Sequence, residues 1–192
     1  MDNYQNIFQF VLEAGMLKRV RRSGWSVVGV PSAESVADHS FRCAVIGYVL
    51  ARLENVHPYR VLLMTLFNDI HEARITDLHK LAQKYFDLPR AEDSCFAEQI
   101  EKLPPAMKDE FSCMRAEYCD QLSPESHIAR DADILECLIQ AKEYHEQGFQ
   151  QAEKFMRKAP RYLHTESARR LWDTAGSMGC NDWWLSLSEF RR

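Results

Sequence analysis

Two short stretches of this sequence hold the residue types that hydrolytic chemistry needs. They are Ala37-Asp38-His39-Ser40 and, further along, Phe67-Asn68-Asp69-Ile70-His71-Glu72-Ala73-Arg74. The spacing predicts that Asp69 and Glu72 stand one helical turn apart, on the same side of a helix. Asp69 shares an apolar stripe with Leu62 and Leu66. An ionised carboxylate there is strongly disfavoured without a partner. Two acids this close need a cation or a shared proton. A divalent metal is one such cation: one carboxylate ligates it while the other takes a proton from water. An arginine such as Arg42 or Arg74 would serve Asp69 equally well on this evidence.

His39 falls on the apolar stripe of its own segment, where a lone histidine is more often a core residue satisfied by one hydrogen bond. His71 and His79 read as ordinary polar residues, His71 about a right angle from Glu72 and His79 in a short polar segment. The basic run Lys18, Arg19, Arg21 and Arg22, followed by Trp25, is either a solvated face or a phosphate clamp, since guanidinium groups match phosphate oxygens in a fork. Trp25 either stacks on a base or sugar or packs in the core. No P-loop, dinucleotide-binding glycine motif or nucleophile elbow is present.

The elements that must position these residues are helical. Ile7, Phe10, Val11, Ala14 and Leu17 recur at steps of three and four, predicting a helix over 3–17. Residues 18–33 read as a long ordered loop with a β-like Val27-Val28 run. Ser32 and Ser35 are both plausible N-caps for a helix over about 34–54, with a stripe of Val36, His39, Cys43, Ile46 and Leu50. Pro58 suits the first turn of the next helix, which carries Leu62, Leu66, Asp69 and Ala73 in register before a break at Thr76-Asp77. Short or medium helices follow over about 78–87, 89–102 and 106–121. Ser123-Pro124 starts a helix that runs to about 146 and is apolar on several faces, so it is central. Gly148 ends it. Further helices are expected over 149–158 and 165–190, the latter interrupted near Gly176 and Gly179. The expectation is one all-α domain over 1–192, with a motif-bearing core at about 10–145 and C-terminal helices at 149–190.

The chain has 192 residues, 46% of them hydrophobic, enough for a real core. Lys+Arg is 24 against Asp+Glu at 28, a formal charge of -4, which argues against binding a nucleic-acid polymer. No apolar run suits a bilayer span, and the first ten residues lack a signal-peptide pattern. The six cysteines show no C-x-x-C pair, which speaks for reduced thiols in the cytoplasm and against a structural zinc site.

Taken together, the motifs resemble those of the HD-domain metal-dependent phosphohydrolases, in the 5′-deoxynucleotidase-like branch. Leu17 to Trp25 and Glu34 to Ser40 look like the opening signature. Asp69, Glu72, Ala73, Arg74 and Asp77 look like the central motif. Ala132 to Glu136 with Gln140, Ala141, Glu143 and Tyr144 look like the closing one. The resemblance implies a helical bundle of roughly eight or more helices, a site between them, and a homodimer. It implies metal ligation by His39, Asp69 and Asp133. Helical pattern alone does not choose between Asp131 and Asp133; the match through Ala132, Leu135 and Glu136 favours Asp133. It implies that Glu72 handles the attacking water, that Asp77 lies near the scissile phosphate, and that Arg22 and Trp25, with Lys18 and Arg19 as lesser candidates, hold substrate.

One position departs. Asn68 stands where the family has the histidine of its His-Asp pair, so Asn68 enters the expected ligand set in its place. An amide oxygen is a weaker donor than imidazole to Mn, Co, Fe, Ni or Zn, which brings Mg into consideration. A harder or loosely held ion, substitution by His71, and loss of turnover are all compatible with this change. The expected activity is hydrolysis of a phosphate monoester, a nucleoside 5′-monophosphate, by one divalent metal. The competing readings are a nucleotide- or metal-binding module without turnover, and a helical interaction protein using Trp172, Trp183, Trp184 and Phe190, for which ordinary core packing is the preferred explanation.

Overall fold

The computed structural model describes residues 3–185 and 187. Its helices are α1 Asn3–Ala14, α2 Gly24–Val27, α3 Val36–Leu53, α4 Pro58–Phe67, α5 Glu72–Ile75, α6 Lys80–Gln83, α7 Leu88–Ile100, α8 Pro105–Asp120, α9 Pro124–Glu146, α10 Glu153–Lys158, α11 Glu166–Ala175 and α12 Asp182–Leu185. Among the described residues the only β pairing is an isolated bridge between Arg21 and Ser35. The all-α expectation holds.

Local chemistry explains the main boundaries. Ser35, not Ser32, caps α3: its Oγ accepts from the Asp38 N–H at 3.1 Å while its own N–H donates to Asp38 Oδ2 at 2.8 Å. Ser123 caps α9 in the same reciprocal way with Ser126, and Pro124 takes the first turn. Gly148 ends α9 at φ 105, and the Phe149 N–H returns to the Tyr144 carbonyl at 2.9 Å. α9 is the central helix. It buries Ile128, Ala132, Leu135 and Leu138 against α3 and α4, together with two acids, Asp131 and Glu136. Gly47 lets α3 and α4 cross closely, since a Cβ there would sit 2.9 Å from Thr65 Cγ2 and 3.0 Å from Val61 Cγ1.

Several expectations are corrected. α1 stops at Ala14 and passes into a 3-10 turn, Gly15–Lys18. The segment read as a loop contains α2, so Val27-Val28 ends a helical turn rather than forming a β-like run. α4 ends at Phe67, so Asp69 and Glu72 do not share one continuous helix. The backbone there closes i→i+3 bonds, Ile70 N–H to Phe67 O at 3.2 Å and Glu72 N–H to Asp69 O at 3.0 Å. Thr76 then adopts φ 62 and ψ 166, a conformation a β-branched residue rarely takes, just before Asp77, whose carboxylate accepts the Ser23 N–H. Of the C-terminal aromatics, Trp172 packs against the core, whereas Trp183 and Trp184 are exposed. Phe190 lies outside the described residues.

Candidate functional site

Three elements meet at one point. α3 supplies His39 from its buried face, α9 supplies Asp133, and the turn after α4 supplies Asn68 and Asp69. His39 Nε2 lies 3.2 Å from Asp133 Oδ1 and 3.5 Å from Asp69 Oδ2. Arg22 Nη1 reaches Asp69 Oδ2 at 3.6 Å. Asn68 Nδ2 donates to Asp69 Oδ1 at 2.7 Å, which leaves its amide oxygen as its remaining donor atom for a cation.

The other ring nitrogen, His39 Nδ1, is engaged by the fully buried Glu136 carboxylate. Glu136 also accepts from Arg42 Nε at 3.0 Å and Nη2 at 2.8 Å, and Arg42 is held in turn by Glu143 and Gln140. A carboxylate fixing the far nitrogen sets the tautomer in which Nε2 is available as a ligand. The sequence offers Arg42 or Arg74 as the partner of Asp69, but Arg42 pairs with Glu136 and Glu143, Arg74 with Glu13 and Glu98, and the arginine beside Asp69 is Arg22; Glu136 has no role in the sequence reading. The signal was present as spacing: Arg42 follows His39 by three, and Glu136 follows Asp133 by three.

Asp131 is excluded from this centre by its partners. It is fully buried and accepts the N–H groups of His164 and Thr165, each at 2.7 Å, and the Thr165 hydroxyl at 2.7 Å. It anchors the start of α11; Asp133 is the acid that faces His39.

The electrostatics mark a place for positive charge. Burial pushes Glu72 up to about 10, with Asp69 and Asp77 adding to the shift against Arg22 and His39. Among the described residues Glu72 Oε2 is buried with no hydrogen-bond partner. Burial and Arg22 oppose protonation of His39, yet its bonds to Asp133 and Glu136 outweigh them and lift it to about 10. Burial likewise opposes ionisation of Asp133, but His39 and Arg22 hold it well below the usual carboxylate range. One imidazole nitrogen, two carboxylates, an amide and an orphaned carboxylate oxygen fit a divalent ion, and with one nitrogen among mostly oxygen donors they suit a hard or borderline one. Glu34, His39 and Glu136 also bring ligand atoms within 4.8 Å of one another. That grouping is spent internally, since Glu136 is taken by Arg42 and His39 and Glu34 accepts the Trp25 indole N–H at 2.9 Å.

The centre opens into a cavity of about 1270 Å³. Arg22, Asn68, Asp69, Glu72, Asp77 and Asp133 all line it. Asp77 Oδ2 accepts the Ser23 N–H at 2.6 Å, tying the Arg22 segment to the wall. That segment is pinned further by Val36 N–H to Val20 O at 2.9 Å and Arg22 N–H to Glu34 O at 3.0 Å. Lys18 and Arg19 are exposed and are not among the lining residues. Trp25 borders the cavity but is 2% exposed, packed on Phe155 at 4.7 Å and Tyr144 at 5.1 Å between ring centroids. It is a packed residue, not a displayed stacking platform, and its backbone N–H donates to the Arg22 carbonyl at 3.3 Å. His71 is buried in the same wall with Nε2 turned toward Glu92 at 3.6 Å, and His79 Nδ1 caps α6 by accepting the Ala82 N–H.

Comparison with known proteins places this fold in a family. Residues 14–172 match the model of the HD domain family. The chain is 30% identical over 146 residues to the 5′-deoxynucleotidase HDDC2 of Danio rerio, covering 73% of this chain and 70% of that protein. A solved structure of a conserved hypothetical protein from Pyrococcus furiosus superposes with a TM-score of 0.73 at 32% identity, covering 89% of this chain and 99% of that one. A cyanophage S-2L HD phosphohydrolase, solved with dA and one catalytic Zn2+ ion, shares the fold at a TM-score of 0.52 and 12% identity, over 86% of this chain and 92% of that one.

Proposed function

The chain belongs to the HD domain family, and from that premise we propose that it is a metal-dependent phosphohydrolase that cleaves a nucleoside 5′-monophosphate to a nucleoside and inorganic phosphate. The observation that carries this reading is the His39 Nε2 atom, 3.2 Å from Asp133 Oδ1 and 3.5 Å from Asp69 Oδ2, where those two acids line the cavity beside the orphaned Glu72 oxygen. His39, Asp69 and Asp133, with Asn68, would hold the ion. Bound there, a divalent metal supplies a Lewis acid for the phosphate and lowers the pKa of water.

The rest falls to the protein. Glu136 holds the His39 ring with Nε2 facing the acids. Glu72 accepts the proton of the attacking water, a task for which its carboxyl must be ionised, so it depends on the positive charge beside it. Arg22, 3.6 Å from Asp69, neutralises the phosphate, and Asp77 keeps the Arg22 segment against the cavity wall. Trp25, through its packing and its bond to Glu34, sets the position from which Arg22 reaches in.

Mn2+, Co2+ and Mg2+ are the ions to test first, given the oxygen-rich donor set. A homodimer is supported by the outward face of α3, where Phe41, Val45, Tyr48, Val49 and Leu53 are exposed in one stripe. A cytoplasmic setting is supported by six free cysteines, and none of the described helices is long and apolar enough to cross a membrane. The deciding assay is phosphate release from a panel of deoxy- and ribonucleoside 5′-monophosphates with each ion. Release that needs the ion supports the reading; no release with any ion and any nucleotide refutes it.

A further inference from the structure

The two ends of the cavity carry opposite charge. Away from the acids, its wall is formed by His127 and Arg130 of α9, and by Arg161, His164 and Arg169 from the segment between α10 and α11 and the start of α11. The imidazoles of His127 and His164 lie nearly parallel, 9° apart, with centroids 5.2 Å from each other. Arg161 lies over the Tyr162 ring at 4.7 Å and donates to its hydroxyl, and Arg169 donates to the Leu163 carbonyl at 2.8 Å. Among the described residues, neither Arg161 nor Arg169 pairs with a carboxylate. Of the acids near this group, Asp131 accepts the His164 and Thr165 N–H groups and the Thr165 hydroxyl and also lies 3.2 Å from His164 Nδ1, and Asp133 faces Arg130 at 3.7 Å. Three guanidinium groups at one mouth, two of them without a carboxylate partner among the described residues, form a field that attracts an anion, with the His127 and His164 rings beside them.

The spacing sets what that anion belongs to. His127 and Arg130 share the cavity face of α9 with Asp133. Six residues at 1.5 Å each put His127 about 9 Å along the helix axis from Asp133, with Arg130 about halfway. That is the scale of one nucleotide, not of neighbouring phosphates in a polyphosphate chain. The cavity of about 1270 Å³ also exceeds the usual range of small-molecule pockets, roughly 300–1,000 Å³.

We infer that the Arg130, Arg161, Arg169, His127 and His164 rim is a second anion subsite, which receives a phosphate on the 3′ side of a nucleotide whose 5′-phosphate lies at the His39–Asp69–Asp133 centre. The substrate class it selects is the nucleoside 3′,5′-bisphosphate. This rests on the hydrolase reading for the identity of the bound molecule, but not for the existence of the anion site.

The test compares 2′-deoxyadenosine 5′-monophosphate with 2′-deoxyadenosine 3′,5′-bisphosphate. Kd is measured by calorimetry on the chelated full-length protein, and kcat/KM with metal added. The subsite predicts at least about tenfold tighter binding of the bisphosphate, the effect of one or two charge-assisted bonds at a partly exposed site. It predicts that the ratio falls toward one in Arg161→Ala/His164→Ala, and below one in Arg161→Glu. Both residues are exposed, so folding should survive. Equal binding of the two nucleotides by the unmodified protein overturns the subsite, as does an advantage that persists in both variants. If the bisphosphate advantage is present but neither nucleotide releases phosphate, the subsite stands and the hydrolase reading falls alone.

Discussion

Replacing Glu136 by Gln isolates the role of a residue that touches no substrate. The carboxylate is fully buried and takes three bonds, one from His39 Nδ1 and two from Arg42 at 3.0 and 2.8 Å. Glutamine keeps the volume but offers one acceptor oxygen and one NH2. If the oxygen stays with Arg42, the NH2 faces Nδ1, which must then give up its proton and accept. The remaining ring proton moves to Nε2, the atom that points at Asp69 and Asp133, and the imidazole ceases to be a ligand. Loss of such a supporting partner typically costs about 10–100-fold in metal affinity. Removing one member of a buried charge pair costs about 3–5 kcal/mol. Arg42 keeps Glu143 at 2.7 Å and Gln140 at 2.6 Å and is partly exposed, so the low end, about 3 kcal/mol, applies. Urea unfolding of the chelated protein gives the stability change; metal titration by calorimetry gives the affinity. The two are separable, because kcat at saturating metal recovers if Glu136 acts only by positioning His39. Burial resists ionisation of Glu136, while His39 and Arg42 hold its pKa below the ordinary value. Its stabilisation is therefore present above the unfolded carboxylate range, near pH ~4.3, and is lost as pH falls through the depressed folded value. The stability gap between the two proteins should close in acid. An unchanged metal Kd in Glu136→Gln, whatever happens to stability, would refute the positioning argument.

The two acids of α9 should separate cleanly. Asp131→Asn leaves metal affinity within about twofold but destabilises the fold by about 1–3 kcal/mol, since an NH2 now meets donors from His164 and Thr165. Asp133→Asn lowers metal-dependent activity at least about a hundredfold at sub-saturating metal, as read by activity titration. Asn68→His adds a nitrogen ligand and should shift preference toward Co2+ and Zn2+ relative to Mg2+; an unchanged order of affinities means residue 68 is no ligand. For the chelated protein, His39 protonation is favoured in the folded state, where its pKa is about 10. That contribution is complete below the unfolded value near pH ~6.5 and disappears as pH rises through about 10, so Tm should fall across this window. Metal binding at pH 8 should then release a proton, measured as a dependence of the calorimetric enthalpy on buffer ionisation; no proton release contradicts a charged His39.

How much of the fold was legible depended on whether its signals were local. Ser123, Pro124 and Gly148 act within one helical turn of themselves, and α9 begins and ends where they predict. α4 shows the opposite case. The stripe Leu62, Leu66, Asp69, Ala73 reads as one helix, but the chain leaves it at Asn68. Periodicity cannot register the i→i+3 turns that point Asp69 and Glu72 at groups from α3 and α9. α2 has four residues, too few for any period, and Thr76 adopts a backbone conformation that its side chain argues against.

The site divides along the same line: the resemblance named His39, Asp69 and Asp133 together but gave the groups that support them no role. His39 with Arg42 on α3, and Asp133 with Glu136, Gln140 and Glu143 on α9, are each spaced by three or four, so each helix presents one ligand and its support on one face. Once His39 and Asp133 are accepted as ligands, Arg42 and Glu136 follow from spacing alone. Asp131 could not be dismissed in this way, because its partners, His164 and Thr165, lie 33 and 34 residues downstream. The basic rim is less legible still. His127 and Arg130 are separated from Arg161, His164 and Arg169 by the rest of α9 and by α10, and nothing in either stretch signals the other. Only the return of the chain, held by the same Asp131 that anchors α11, brings the two sets of residues to a single mouth. Weakening that anchor should therefore loosen the rim while leaving His39 and Asp133 in place. On this account Asp131→Asn erodes discrimination between mono- and bisphosphorylated nucleotides more than it erodes metal binding, an ordering that a purely structural role for Asp131 does not require.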